Sequence, residues 1–340
     1  MLFFLQLLSS QSSKLFFVPI VTCLLIPCAV ANESIIIEKV ASPVDLGEGP
    51  HWDIKSQTLY HVDILGKKIL KFDPATGTRT HALLEGDGLV SLAVPIEGEA
   101  DKFVASKGRD LVVVTWNSNS NDSNPTVENL LTLDCDRSNT RINDGKCDAN
   151  GRLWLGTMAI KVNNFVKSNQ GCLYRVNNCN AEKILEPLSI GNGLAWNKMN
   201  DVMYYIDSLS YQIWSFDFDL ASGNITNKRV VFDLKTNNID GIPDGMTIDV
   251  DDNLWIAVFD GSCVLHVNPT NGQLLRKIML PVKQVTSLAF GGPLLDVLYV
   301  TTARECLSEK ELLEKPDSGS LYVLRGLGTF GLPAKSFKLK

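Results

Sequence analysis

Gly47-Glu48-Gly49-Pro50-His51-Trp52-Asp53, Asn143-Asp144-Gly145-Lys146, Gly191-Asn192-Gly193-Leu194-Ala195-Trp196 and Pro243-Asp244-Gly245-Met246 are four versions of one phrase. Each sets an oxygen-bearing side chain (Glu48, Asp144, Asn192, Asp244) directly before a glycine, and each leads into a turn and a second apolar run. Positions 48, 144, 192 and 244 advance by two, one and one units of roughly 50 residues. A polar residue returning at one place in such a repeat predicts a toroid with its chemistry gathered on the axis. That is the pattern of a β-propeller.

The residues around the first phrase spell out one unit. Strands are expected at 50–53, 59–63, 69–73 and 79–84, parted by Lys55-Ser56-Gln57, Gly66-Lys67-Lys68 and Pro74-Ala75-Thr76-Gly77. Four short strands with turn residues between them make one blade. Further copies begin near residues 91, 144, 192, 244 and 287, so the expectation is an all-β, six-bladed β-propeller over residues 32–340. No stretch carries sustained helical periodicity. Residues 117–129 read as a polar surface loop, and 161–170 and 304–316 as loops able to cover the top of the channel.

Bulk composition limits the function. The chain has 340 residues, 45% hydrophobic and 21% charged, with a formal net charge of −6. This is ordinary globular composition, and the acidic balance argues against a nucleic-acid partner, which needs a basic face. Residues 1–31 stand apart: Lys14, an apolar run from Leu15 to Ile26, and Ala29-Val30-Ala31 describe a secretory signal peptide. The mature chain is expected to be secreted, without stable membrane insertion, and monomeric; without use of that segment it would be cytoplasmic. Asn32-Glu33-Ser34, Asn121-Asp122-Ser123 and Asn224-Ile225-Thr226 are glycosylation sequons. Of the 8 cysteines, Cys172 and Cys179 flank a hairpin turn and could pair, while most of the others read as buried thiols.

In a propeller the first strand of every blade lines the axis, so residues at its start converge at one mouth of the channel. Glu48, Asn192 and Asp244 would bring together two carboxylates and one amide oxygen, with Asn143 and Asp144 beside them. Hard oxygen ligands suit one divalent metal ion, Ca²⁺, Mg²⁺ or Mn²⁺, with Zn²⁺ also possible. Without an ion, like charges in a recessed mouth would repel and raise a pKa. Taken singly, an Asp-Gly or Asn-Gly pair is a turn former. Four in one register ahead of strands point instead to a metal site at the channel mouth. Trp52, Trp196 and Trp255 recur in core positions, His51, His61, His81 and His266 are scattered, and Lys146 and Asp148 read as structural. The chain has no nucleophile elbow, no H-E-x-x-H and no phosphate loop.

The motifs Gly47-Glu48-Gly49-Pro50-His51-Trp52, Arg141-Ile142-Asn143-Asp144-Gly145-Lys146, Gly156-Thr157-Met158-Ala159, Asn192-Gly193-Leu194-Ala195-Trp196, Ile242-Pro243-Asp244-Gly245-Met246 and Gly326-Leu327-Gly328 run in one order from about residue 38 to the C-terminus. With them the chain resembles the regucalcin, or senescence-marker-protein-30, family of gluconolactonase-like propellers, which includes the luciferin-regenerating enzymes. The resemblance implies metal ligation by Glu48, Asn192 and Asp244, and contact with a sugar lactone by Arg141 and Asn143. The family carries a carboxylate shortly after its G-T-M-A. Here that stretch is Met158-Ala159-Ile160-Lys161, and Lys161 reverses the charge at an implied substrate contact.

The implied activity is metal-dependent hydrolysis of small lactones, with Asp244 as the candidate general base. Two alternatives stand beside it. One is a related enzyme acting on another small molecule, in the manner of a luciferin-regenerating enzyme or an organophosphate hydrolase. The other is a calcium-binding regulatory protein with little turnover.

Overall fold

The computed structural model describes residues 34–134 and 136–340. The signal-peptide reading of residues 1–31, the Asn32 sequon and Cys135 lie outside the described residues. Within them the chain forms six four-stranded antiparallel sheets. The inner strands are Gly47–Asp53, Ala93–Pro95, Thr140–Cys147, Gly191–Trp196, Ile242–Ile248 and Gln284–Gly291, one for each expected blade start. In the first blade the remaining strands, Thr58–Asp63, Lys68–Asp73 and Thr78–Leu83, fall where the turn residues put them.

Closure of the ring was not legible in the repeat. The sixth blade has only three strands from the C-terminal part of the chain: Gln284–Gly291, Val297–Ala303 and Leu321–Arg325. Its fourth, outermost strand is Ile36–Ala41, paired antiparallel with Leu321–Arg325. The edge of the last blade is thereby covered by the start of the described chain, and the ring is tied without a free seam. Inside the ring, Thr286 Oγ1 donates to the Gly47 carbonyl at 2.6 Å, joining the inner strands of the sixth and first blades.

The core is distributed between neighbouring blades rather than gathered in one place. Trp52 stacks on Tyr299 with centroids 5.2 Å apart, and Trp255 meets Phe290 edge-on at 5.7 Å. Trp154, Trp196 and Phe218 form a second aromatic cluster with centroids 6.0–6.2 Å apart. Each of the three tryptophans expected in the core is buried. Each such ring removes about 150–250 Å² from water. That burial, repeated around the ring, clamps blade to blade.

Three local expectations are corrected. The end of the polar loop over 117–129 belongs to the outer strand Thr126–Thr132. The loop over 304–316 contains a short helix, Glu309–Glu314. Ser308 caps it, accepting from Glu311 N at 3.3 Å while the Glu311 carboxylate accepts from Ser308 N at 2.9 Å, a reciprocal pair that needs no amphipathic period. The possible Cys172–Cys179 pair is not formed. Cys172 is buried near the start of Gly171–Asn177, and Cys179 is exposed beyond its far end. Among the described residues no helix is long and apolar enough to cross a membrane.

Candidate active site at the channel mouth

The Asx-Gly phrases do not form turns. They lie within the inner strands, and in each case the inner strand carries one residue more than its partner. Glu48 and His51 oppose Val62 and Tyr60, Ile142 and Asp144 oppose Thr157 and Gly156, Gly191 and Leu194 oppose Asp207 and Tyr205, and Pro243 and Met246 oppose Val258 and Ile256. Each is a β-bulge, which breaks the two-residue alternation and re-aims a side chain. The glycine that follows permits close packing on the axis. A Cβ at Gly245 would lie 2.0 Å from Ser287 Oγ, and one at Gly193 would lie 2.7 Å from the Asp244 carbonyl. Of the four glycines only Gly49 takes a left-handed backbone, with φ of 54°.

Three acids carried by these bulges act on one another. Glu48, Asp144 and Asp244 are all buried. Burial, then the charges of Asp244 and Asp144, raises the Glu48 pKa well above the carboxylate range. Burial, then the charge of Asp144, does the same to Asp244. Asp144 is raised by burial against the opposing charge of Lys146. Asn192 donates through Nδ2 to Ser208 Oγ at 3.0 Å, which fixes the amide so that Oδ1 is an acceptor. That Oδ1 is buried and has no hydrogen-bond donor. An orphaned amide oxygen beside mutually repelling carboxylates is a donor set that a hard cation would satisfy. Among the described residues no three His, Cys, Asp or Glu side chains are gathered as a ready metal cluster.

Arg141 and Asn143 lie on the inner strand that carries Asp144. Arg141 is half-buried and donates from Nη1 to the Ile142 carbonyl at 2.9 Å. Burial pushes its pKa down to about 10, against the pull of Glu305, Glu48 and Asp244. Asn143 donates to the Gly191 carbonyl at 3.0 Å, so its amide also ties the third blade to the fourth. Lys161 is not free in the mouth: its Nζ forms an ion pair with Glu305 at 2.9 Å. Ser208 and Glu305 are not among the site residues expected from the sequence. Ser208 lies in the Tyr204-Tyr205-Ile206-Asp207-Ser208 run, and Glu305 in the 304–316 loop expected to be able to cover the channel; neither is singled out by its spacing.

At the other end of the channel a cavity of about 190 Å³ is lined by His51, Asp144, Lys146, Trp196 and Lys335 among others. Asp144 therefore stands between that cavity and the acidic mouth. Lys146 donates across the channel to the Met246 carbonyl at 2.6 Å, and burial lowers its pKa to about 8. Burial pushes His51 down to about 4, so it is neutral near pH 7.

Residues 46–304 match the model of the SMP-30/Gluconolactonase/LRE-like region. The chain belongs to this family. It is 37% identical over 289 residues to regucalcin of Bos taurus, covering 84% of this chain and 93% of that protein. A solved luciferin-regenerating enzyme superposes with a TM-score of 0.84 at 36% identity, covering 90% of this chain and all of that one. A calcium-binding protein, regucalcin, of Agrobacterium tumefaciens gives 0.79 at 25% identity, covering 88% and 97%. The family and the six-bladed propeller expected from the sequence are thus both established.

Proposed function

We propose that the chain is a metal-dependent hydrolase of small lactones, with its active site at the mouth formed by the starts of the inner strands. The observation that carries the reading is the orphaned Asn192 Oδ1 among acids that burial and mutual repulsion hold at raised pKa. Glu48, Asn192 and Asp244 would hold one divalent ion, which when bound polarises a carbonyl and stabilises the oxyanion formed on attack. Calcium is the first candidate, supported by the name of the Agrobacterium relative.

This chain's own groups carry the remaining steps. Arg141 and Asn143 orient the lactone by hydrogen bonds to its ring substituents. Water attacks the carbonyl carbon, and Asp244 accepts the proton that water loses. The ring C–O bond then breaks and the departing oxygen takes up a proton, giving the open hydroxy acid. Arg141 and Asn143 favour an enzyme over a pure calcium binder, since ion binding alone does not need them. The same reading takes residues 1–31 as a leader removed on secretion, with Asn121 and Asn224, both exposed, open to glycosylation.

The test is hydrolysis of D-glucono-δ-lactone and other small lactones after chelation and after return of Ca²⁺, Mn²⁺, Mg²⁺ or Zn²⁺. Turnover that is lost on chelation and restored by one ion is the expected outcome. Tight ion binding with no turnover on any lactone would overturn the reading. It would favour action on another small molecule, in line with the likeness to a luciferin-regenerating enzyme, or a binding role.

A further inference from the structure

Two excursions of the chain meet above the acidic mouth. Lys161 follows the second strand of the third blade, Leu153–Ala159, and Glu305 follows the second strand of the sixth, Val297–Ala303. Their side chains pair at 2.9 Å through Glu305 Oε2. Cys306 Sγ and Asn164 Oδ1, 3.2 Å apart, make a second contact between the same segments. The backbone at Glu305 is held as well. The buried Gln284 donates to its backbone carbonyl at 3.0 Å, and Arg304 N donates to the Asp45 carbonyl at 2.9 Å. On the other side, Ile160 N donates to the Asn139 carbonyl at 2.8 Å.

An ion pair between partly exposed side chains contributes little to stability, so a tie between loops is a poor account of a carboxylate carried on so well-held a stretch of backbone. Its side chain is only 17% exposed, half the 34% of Lys161. Its charge reaches inward, acting on both Arg141 and Asp244. The lysine that sequence comparison would set in the mouth as a free cation is neutralised. A carboxylate from the opposite excursion, tied to Lys161, lies near enough for its charge to act on Arg141. An acceptor held by Lys161 and a donor held by the Ile142 carbonyl suit a ligand whose neighbouring hydroxyls both donate and accept.

We propose that Glu305 is a specificity-determining residue of this mouth: anchored by Lys161, its carboxylate accepts a hydroxyl hydrogen from a polyhydroxylated ring bound between it and Arg141. The inference rests on the lactonase reading for the reaction, but not for recognition of the ring. Because a hydrogen bond to an ionised acceptor is stronger than a neutral one, its loss should be felt in binding.

The experiment compares D-glucono-δ-lactone with δ-valerolactone, the same six-membered ring without hydroxyls, in the calcium-loaded full chain. Glu305→Ala should lower the ratio of kcat/KM values for the two by roughly tenfold, chiefly through KM, and Lys161→Ala should lower it less. An unchanged ratio in Glu305→Ala overturns the proposal, as does an equal fall in both variants, which is what a mere tie between loops would give. Calorimetric titration with D-glucose, a ring polyol that cannot be hydrolysed, runs in parallel. If the unaltered chain cleaves neither lactone, the lactonase reading fails by itself. Glu305 is then judged by the titration: weaker glucose binding in Glu305→Ala than in Lys161→Ala supports it. Equal binding in both, or no glucose binding at all, overturns it.

Discussion

Asp244 and Asp249 belong to one stretch of the fifth blade, both buried, and they behave as opposites. Asp249 accepts from Asp251 N and Asn253 N at 3.0 and 2.9 Å, from Trp255 Nε1 at 2.9 Å, and pairs with His266 Nε2 at 3.0 Å. Burial alone would raise its pKa, but the His266 and Trp255 bonds, with Asn253, outweigh it and hold the carboxyl below its usual range. Asp244 is raised by burial and then by Asp144. The third blade repeats the contrast. Asp148 is saturated by Arg152 Nε at 2.7 Å, Trp154 Nε1 at 2.9 Å and Asn150 N at 2.9 Å, whereas Asp144 joins the repelling set. Burial of an acid does not mark a site. Burial without enough donors does.

The largest expected effect separates the two kinds of acid by function. Asp244→Asn should lower lactone turnover by at least about 10²–10⁴-fold, the usual reach of a general base. It should also raise the thermal midpoint of the metal-free protein, because a repelling charge is gone. Asp148→Ala should do the reverse, costing about 3–5 kcal/mol in urea unfolding by stranding the buried Arg152, while the folded fraction keeps its kcat. If Asp148→Ala lost activity without stability, the contrast would collapse.

The next effect concerns the bulges that carry the acids. Gly245→Ala brings a Cβ against Ser287 Oγ and Cα, and should destabilise by about 1–3 kcal/mol with weaker calcium binding in titration calorimetry. Retained stability together with retained affinity would show that the glycine is not needed for close approach.

The smallest is a pH trend. Glu48 and Asp244 have folded pKa values above their unfolded ones. Their protonation therefore favours the metal-free fold in acid, and that advantage is lost as pH rises through the raised values. An ion replaces the protons, so the rise in thermal midpoint on adding calcium should grow as pH rises through these raised values. A flat or shrinking increment would mean that these carboxylates do not hold the ion.

Much of this was readable along the chain. The repeated phrases of Glu, Asp or Asn before glycine located the inner strands of four blades, and the turn residues after Asp53, Asp63 and Asp73 delimited the strands of the first. Glu48, Asp144, Asn192 and Asp244 recur at one place in the repeat, which set them on the inner strands. The bulges were not readable. An extra residue in one strand is defined only against its partner, and the sequence shows a glycine that suits a turn equally well. The short helix Glu309–Glu314 escaped because one and a half turns cannot establish a 3.6-residue period.

What the sequence by itself determined is therefore local and periodic: the alternation that makes strands, the number of repeats, and the chemical identity of the residues that open each inner strand. What only the tertiary structure decided depends on residues remote in the chain. Ile36–Ala41 pairs with Leu321–Arg325 to close the ring, Ser208 turns the Asn192 amide, and Glu305 meets Lys161 over the mouth. The physical reason is the same in each case. A strand edge, an amide orientation and an ion pair are settled by which partner arrives, and in a ring the partner arrives from another blade.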